Sequence, residues 1–427
     1  MIAAIQVHPH DIRDEGAERV VENIRERAGI NIICPEVSAL EERHPYPRGD
    51  LPHNPVRRSL VSEATMEIPL ESASPLFRTL PFHPRLSDGA LRGNDYIADL
   101  VRTASHSDCE VVPWLKGLNA AFDGDVASFC VQTLGGGLVP TWLCPSRPET
   151  LSYVTSLVKS VMERYESGAV LLDRVRYPDW SGAEVLPERM FTCFCPECRR
   201  RMSSDNIDVD MLEKSLLKLL ARIGEEEFSP ELEEQREIFA WLVFRRKMIT
   251  NLVAAVRDKI NSFAQEAKLW LNLWPPSFGA FLGQDYSVLG KLCDGAKHFP
   301  YHRLGGGADL KDLVEAVVSD EHGQERVFAR LLRMLNLPYD IGLREFESDG
   351  FPIDFVRTET AKGKEAFGKT PIFSGIQIWD IPEEEIEPAC RAALSGGADG
   401  FFFYCYGWAT LGALNEVGRI MKSFPED

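Results

Sequence analysis

Three cysteines lie within six residues, in the order Cys193-Phe-Cys195-Pro-Glu-Cys198. This C-x-C-x-x-C spacing lets three sulfurs reach one tetrahedral ion, and thiolates are the usual ligands of closed structural zinc sites. Cys144 precedes a proline upstream and is the first candidate for the fourth ligand. The rival fourth ligands are Cys109 and Cys130. The sequence therefore predicts a structural zinc with no open position for catalysis.

A second group of reactive side chains follows the apolar run Ala169–Leu172, in the order Asp173, Arg174, Arg176 and Tyr177. A buried strand that ends in a carboxylate and two guanidiniums usually presents them to a ligand, and a carboxylate there can serve as acid, base or nucleophile. The structural alternative is an ion pair between the aspartate and the neighbouring arginines. We expect chemistry at this strand end.

Eight short apolar segments alternate with amphipathic ones along the chain. The predicted strands are Ile2–Val7, Asn31–Pro35, Glu110–Leu115, Ala169–Asp173, Lys268–Leu273, Gly295–His298, Pro371–Ile378 and Gly400–Tyr404. Strands that alternate with helices predict a parallel sheet, and eight such units predict a (β/α)8 TIM barrel. A doubly wound open sheet is the alternative, but no G-x-G-x-x-G follows the first strand.

Residues 1–427 are predicted to form a single barrel domain with two long connections. Residues 45–95 are rich in Pro, Arg and His and predict a long loop over one barrel end. Residues 179–266 contain the cysteine cluster and helical patterns over 209–224 and 230–264. They predict a helical, zinc-binding insertion after the fourth strand.

In a barrel of this kind the active site lies where the carboxyl ends of the strands meet their loops. The polar and aromatic residues at those ends are the predicted substrate-binding residues, namely Lys116, Arg174, Arg176, Tyr177, Asn272, Trp274, His298, Tyr301, Gln377, Trp379, Tyr404, Tyr406 and Trp408. Aromatic rings stack on the C–H faces of a pyranose, and polar groups bind its hydroxyls. The alternative for the aromatic residues is plain packing of the barrel mouth. His8 and His10 form a His-x-His pair, which alone is a weak metal signal.

Glycoside hydrolysis needs two carboxyl groups on either side of the scissile bond. Asp173 is the first candidate for one of them, and Asp380 and Glu36 are the candidates for the other. A lyase or isomerase would instead use a Lys, His or Tyr base, with Lys116, His298 and Tyr301 as candidates. A carbohydrate-binding barrel without catalysis would keep the aromatic residues and hold its carboxylates in ion pairs.

Residues 140 to 205 resemble the family 42 β-galactosidases of the glycoside hydrolase barrels. In that family a Cys-Pro segment, a helix, a catalytic fourth strand and a C-x-C-x-x-C cluster follow in this order. The family's four thiolates hold a zinc, so the resemblance implies that Cys144, Cys193, Cys195 and Cys198 are its ligands. The catalytic positions depart from the family, because the fourth strand ends in Leu-Asp173 rather than Asn-Glu and the seventh ends in Trp-Asp380 without a nucleophilic Glu.

The fourth strand is similar instead to other glycosyl hydrolase-like proteins with a Leu-Asp-x-x-x-Tyr-Pro ending. Asp380 is slightly preferred over Glu36 as the partner of Asp173, because strands four and seven supply the carboxylate pair in many retaining barrels. The resemblance thus implies a glycoside hydrolase-like fold more firmly than it implies β-galactosidase activity.

Composition limits the class of partner. The 65 acidic and 47 basic residues give a formal charge of −18, which argues against nucleic acid or an anionic membrane as partner. No apolar run approaches the length of a membrane span, and the first residues predict a strand rather than a signal peptide. We expect a cytoplasmic enzyme, a possible homo-oligomer, that acts on a small glycoside or oligosaccharide.

Overall fold

The computed structural model describes residues 1–39, 50–59, 64–71, 78–180, 185–225, 231–303 and 310–424. Within these residues the strands are β1 (Ile2–Val7), β2 (Ile32–Pro35), β3 (Phe82–Pro84), β4 (Glu110–Val111), β5 (Trp114–Lys116), β6 (Phe122–Gly124), β7 (Cys130–Gln132), β8 (Leu138–Leu143), β9 (Ala169–Asp173), β10 (Lys268–Leu273), β11 (Gly295–His298), β12 (Ile372–Gln377) and β13 (Gly400–Tyr404).

The helices cover the outside of the sheet and form the insertion. The α-helices are Pro9–Glu15, Ala17–Glu22, Asp88–Leu91, Tyr96–Ala104, Pro148–Arg164, Pro196–Ser204, Val209–Arg222, Leu232–Asn261, Pro276–Gly279, Tyr286–Leu289, Lys311–Val317, Glu321–Met334, Leu343–Asp349, Asp354–Phe367, Ile386–Ser395 and Leu411–Ser423. A π-helical turn spans Asn23–Arg27. Short 3-10 turns span Ala127–Phe129, Pro187–Met190, Ala280–Leu282, Glu383–Glu385 and Tyr406–Trp408.

One parallel sheet contains the strands at all eight predicted positions, in the order β4-β2-β1-β13-β12-β11-β10-β9-β5. Its edges, β4 and β5, are two pieces of the predicted third strand, which is interrupted around Pro113 because proline has no N–H for the ladder. The segment bonds to both neighbours, since the Val37 N–H donates to the Trp114 carbonyl at 3.0 Å and the Leu171 N–H to the Pro113 carbonyl at 3.0 Å. The sheet thus curls back to the segment where it started, which is consistent with the predicted barrel.

Alternate residues of each strand face opposite sides of the curled sheet. One set forms an apolar cluster inside it, with Ala4, Cys34, Trp114, Leu171, Trp270, Phe373 and Phe402. The intervening set packs against the helices, with Ile5, Ile33, Leu172, Leu271 and Phe403. Side chains that continue the first set at the carboxyl ends of the strands therefore lie around the mouth of the sheet.

The helical segment after β9 is present where the sequence predicted it. The helices Val209–Arg222 and Leu232–Asn261 match the predicted patterns, and the longer one packs on Pro148–Arg164 as a barrel helix does. The predicted loop over 45–95 contains β3 and the helix Asp88–Leu91 among its described residues, and its Leu51 packs on aromatic residues of the mouth. Parts of that loop, 45–49, 60–63 and 72–77, lie outside the described residues. The assignment of residues 1–427 to a single domain stays a prediction.

No helix among the described residues is long and apolar enough to cross a membrane.

Candidate functional site

Asp173 is the last residue of β9 and is 5% exposed. Its carboxylate accepts hydrogen bonds from the Trp114 indole N–H at 3.0 Å and from the Arg174 backbone N–H at 2.6 Å. Among the described residues no arginine side chain pairs with it, because Arg176 pairs with Asp179 at 2.7 Å instead. Neutral donors therefore orient this carboxylate. The alternative, a structural ion pair with a neighbouring arginine, is not observed among the described residues.

Glu36 follows β2 and is completely buried. One carboxylate oxygen is 3.0 Å from the Lys116 amine, and the other accepts a hydrogen bond from His8 Nδ1 at 3.0 Å. Burial lowers the pKa of His8, but Cys405 and Glu36 outweigh that effect and raise it well above its ordinary value. Burial lowers the pKa of Lys116, and the Glu36 charge opposes this. Glu36 thus lies between two basic side chains.

Glu36 and Asp173 lie on opposite sides of the same short strand, β5. Glu36 forms a parallel bridge with Trp114, and Lys116 is paired in register with Asp173. Trp114 therefore bridges the Glu36 backbone and donates its indole N–H to the Asp173 carboxylate. The fold brings these two of the three predicted carboxyl-bearing residues to the two sides of one strand.

Asp380, the third predicted carboxyl, lies after the end of β12 and is exposed. Its φ of 49° is a left-handed backbone conformation that residues other than glycine seldom adopt. The neighbouring Trp379 is buried and belongs to the aromatic cluster described next. Asp380 therefore differs from Asp173 and Glu36 in its access to solvent.

Four aromatic residues form a continuous wall at the mouth. Tyr301 stacks on Tyr404 with ring centroids 5.7 Å apart, and Trp379 meets Tyr301 edge-on at 5.0 Å and Tyr404 at 5.2 Å. Trp408 meets Tyr404 at 5.6 Å. The indole N–H of Trp379 is buried without a hydrogen-bond partner. Tyr301 and Trp379 are each 4% exposed and pack together with Leu51, so a sugar-binding role for these rings stays a prediction.

Four more of the predicted binding residues lie close by, and most of them are already engaged. The Arg176 guanidinium lies over the rings of Trp142 at 4.9 Å and Trp274 at 5.2 Å, and burial lowers its pKa to about 10. Gln377 accepts from a backbone N–H at 3.3 Å and donates to a backbone carbonyl at 3.1 Å. Asn272 is buried, and its side-chain oxygen has no partner.

Three predicted binding residues lie away from the mouth. His298 continues the helix-facing set of β11, bonds to Thr360 at 3.1 Å, and burial lowers its pKa to about 3. Tyr177 packs under the guanidinium of Arg245, beside the cysteine cluster. Tyr406 donates its hydroxyl to a buried glutamate, Glu15, outside the sheet. Tyr177 and Tyr406 follow their strands in irregular backbone, where alternation no longer predicts direction, and we leave all three out of the proposed site.

Lys297 is a mouth residue that the sequence interpretation missed. It precedes His298 on β11, and its buried amine donates to Gln6 Oε1 at 2.5 Å and to the Tyr301 hydroxyl at 2.9 Å. Among the described residues no carboxylate oxygen lies within 4 Å of it. Burial lowers its pKa to about 7, against the opposing effect of Asp173. Strand alternation was the signal that could have found it, because Lys297 shares its face with Gly295 rather than with His298.

Lys297→Met should increase stability at acidic and neutral pH. The unfolded chain binds a proton at this side chain up to its ordinary pKa of about 10.4, whereas the folded chain releases it near 7, so wild-type stability rises between those values. The gain from Lys297→Met should be roughly a few kcal/mol at pH 6 and should shrink toward pH 10. Chemical denaturation across this range measures it, with the exposed Lys291→Met as control. A gain that does not change with pH would contradict the assignment.

The four predicted thiols converge in the structure. The sulfurs of Cys144, Cys193, Cys195 and Cys198 lie within 4.8 Å of one another, and all four residues are buried. The Cys144 and Cys198 sulfurs are 3.4 Å apart, and those of Cys195 and Cys144 are 3.8 Å apart. A tetrahedral zinc with Zn–S bonds of about 2.3 Å separates its sulfurs by about 3.8 Å. The cluster therefore has the donor set and spacing of a four-thiolate metal site.

The surroundings of the cluster suit a negatively charged metal complex. The Gln132 and Cys195 backbone N–H groups donate to the Cys193 sulfur at 3.3 and 3.4 Å. Hydrogen bonds from the other three thiols lower the pKa of Cys195, whereas burial raises the pKa of Cys144 and of Cys193. The rival fourth ligand Cys130 donates instead to two backbone carbonyls, those of Val126 and Pro140, and is outside the cluster, as is Cys109.

No protein-family model and no curated protein sequence matches this chain. Solved structures do match it. The glycoside hydrolase domain of PgaB (BpsB) from Bordetella bronchiseptica aligns with a TM-score of 0.57 and 12% identity over 96% of this chain and 95% of that domain. The catalytic domain of a β-amylase from Paenibacillus polymyxa aligns with a TM-score of 0.54 and 12% identity over 99% of both chains.

A β-galactosidase from the psychrophilic Marinomonas ef1 also aligns, with a TM-score of 0.57 and 10% identity over 99% of this chain. This chain spans only 59% of that enzyme's length. A β-galactosidase of family GH42 is among the further matches. These similarities confirm the predicted resemblance to a glycoside hydrolase-like barrel, and at such identities what they show is the fold.

Proposed function

We propose that this chain is a glycoside hydrolase with its active site at the carboxyl end of the curled sheet. The observation that carries the proposal is Asp173, a carboxylate held by two neutral donors at the mouth, close to a wall of aromatic rings. Fixed orientation suits a carboxyl group that must meet the anomeric carbon or the glycosidic oxygen of a bound sugar. The fold shared with glycoside hydrolases supports this proposal.

The proposed substrate is a small glycoside or oligosaccharide. The aromatic cluster of Tyr301, Trp379, Tyr404 and Trp408, whose neighbouring ring centroids lie 5.0–6.0 Å apart, is proposed to contact a sugar face. Ten cysteines without a disulfide also support the proposal that the enzyme works in a reducing compartment such as the cytoplasm.

The second carboxyl group is proposed to be Glu36 or Asp380. Glu36 lies across β5 from Asp173, and its two basic partners suit a group that stays ionised beside a positively charged transition state. Asp380 is exposed, which suits a group that exchanges protons with water. A carboxyl separation of about 5–5.5 Å in the working enzyme implies retention, and about 6.5–9.5 Å implies inversion.

Glu36→Gln and Asp380→Asn should separate these roles. The variant that loses the second carboxyl should lower turnover by about 10²-fold or more, whereas the other should change it by less than about tenfold. Release of reducing ends from a panel of glycosides measures both. Because Glu36→Gln also weakens two buried contacts, its thermal stability is recorded alongside. Wild-type turnover in both Glu36→Gln and Asp380→Asn would contradict the two-carboxyl mechanism.

A sugar lyase or isomerase is the second candidate, and Lys297 is the observation that favours it. A buried amine with a pKa lowered to about 7 can take a proton from a carbon acid at neutral pH, whereas Lys116 is held in an ion pair. The Tyr301 hydroxyl, 2.9 Å from that amine, would carry the proton onward. In either reaction we propose a structural role for the metal, with zinc bound by the four clustered thiolates.

A further inference from the structure

Two cations at the mouth have no carboxylate partner among the described residues. Arg174 and Lys297 make no ion pair there, whereas Lys116 is paired with Glu36. The other two carboxylates predicted for the site are Asp173, which is bonded to neutral donors, and the exposed Asp380. Arg174 is therefore a guanidinium without an ion pair among the described residues, in a chain whose formal charge is −18.

Arg174 is the better placed of these two cations. It is half-buried, it directly follows Asp173, and its guanidinium lies 5.7 Å from the centre of the Trp142 ring. Burial lowers the pKa of Arg174, but the surrounding acids, led by Asp173, outweigh it and raise the pKa, so the group stays charged.

The unpartnered polar atoms at the mouth are mostly donors. The side-chain amide nitrogen of Gln6 and the indole N–H of Trp379 are buried without a partner. The Gln6 side-chain oxygen accepts a hydrogen bond from the Lys297 amine, so the Gln6 amide nitrogen points away from Lys297. On the acceptor side, Asn272 offers one buried oxygen. Buried donors without partners are costly, and an acceptor-rich ligand would satisfy them.

We propose that the sugar bound at this mouth carries an anionic substituent, a uronic-acid carboxylate being the form that fits best, and that Arg174 binds it. The inference rests on the proposed function. The planar guanidinium fork matches a carboxylate with two parallel hydrogen bonds. A substrate carboxylate would also pair with the Arg174 guanidinium, whose charge otherwise opposes the positively charged transition state of glycoside cleavage. This local cation would offset the repulsion that a chain with a formal charge of −18 exerts on an anionic ligand.

Calorimetric binding of free monosaccharides tests the proposal without any need for cleavage. Glucuronate and galacturonate should bind at least about tenfold more tightly than glucose and galactose, as expected for a charge-assisted contact. Arg174→Asn should lower uronate affinity by about 10- to 100-fold and lower the affinity for neutral sugars far less. Asparagine tolerates the φ of 54° at this position, so the fold should survive. The uronate affinity of Arg174→Lys should lie between those of the wild type and Arg174→Asn. Arg102→Asn, at an exposed position, is the matched control.

The outcomes are distinguishable from those of the hydrolase proposal. Equal binding of neutral sugars and uronates, no uronate binding at all, or an unchanged affinity in Arg174→Asn would overturn the inference. Tight binding of glucose 6-phosphate or glucose 6-sulfate without uronate binding would support an anionic substituent on the sugar. It would overturn the assignment of that substituent as a carboxylate. Uronate binding that depends on Arg174, without cleavage of any uronide, would support the anion site and count against the hydrolase.

Discussion

Asp173→Asn should lower turnover by about 10²–10⁴-fold, the usual loss when a catalytic acid or base is removed. The change keeps the shape of the side chain but turns one oxygen into a donor, which then faces the donors of Trp114 or Arg174. We therefore also expect a stability loss of about 1–3 kcal/mol, the cost of one mismatched buried hydrogen bond. Initial rates and thermal unfolding of the same preparation measure both effects.

Asp179→Asn is the matched control for this prediction. Asp179 is a buried carboxylate in the same segment, but it is ion-paired with Arg176. Breaking a buried pair costs about 3–5 kcal/mol, so this variant should lose more stability and less activity per folded molecule than Asp173→Asn. If Asp173→Asn keeps near wild-type turnover on a substrate that the enzyme cleaves, the carboxylate is structural and the proposed mechanism fails.

Removal of the metal should have the second largest effect. Elemental analysis of protein purified without added metal should find about one zinc per chain, as a closed four-thiolate site requires. Cys195→Ser should abolish that zinc and lower the free energy of unfolding by several kcal/mol, because binding energy at a structural site is folding energy. Specific activity of the fraction that stays folded should change much less, since the cluster is separate from the mouth.

Two further variants sharpen the metal test. Cys144→Ser should behave like Cys195→Ser if Cys144 is the fourth ligand. Cys130→Ser should keep the zinc, because Cys130 only donates to two backbone carbonyls and a serine hydroxyl can do the same. Stable wild-type protein that contains no metal would contradict the site altogether.

The strands and the cysteine cluster could be predicted because their signals are local. Each strand is a short apolar run, and three of the thiols lie within six residues. The only sign in the sequence that the third strand is split is Pro113. Its effect depends on the two neighbouring strands, because β4 pairs with β2 and β5 pairs with β9. Cys144 was the first candidate for the fourth ligand, and the family resemblance supported it over Cys109 and Cys130, because nothing local links residues so distant in the chain.

The contacts within the site could not be predicted in the same way. The pairing of Glu36 with His8 and Lys116 joins three strands and depends on the barrel register, which one sequence does not contain. The choice of His298 over Lys297 failed for a local reason, since strand alternation decides which of two adjacent side chains enters the mouth. Asp173 was found because a charged residue directly after a buried run is conspicuous in any sequence.

Mass spectrometry of the products formed in heavy-oxygen water tests the central claim most directly. The assay uses acidic and neutral oligosaccharides, with wild-type enzyme and Asp173→Asn side by side. A glycoside hydrolase should shorten its substrate and place one heavy oxygen on the new reducing end, and Asp173→Asn should do so at least about 10²-fold more slowly. Cleavage to an unsaturated sugar without solvent oxygen, rearrangement without cleavage, or binding without any product would contradict the account.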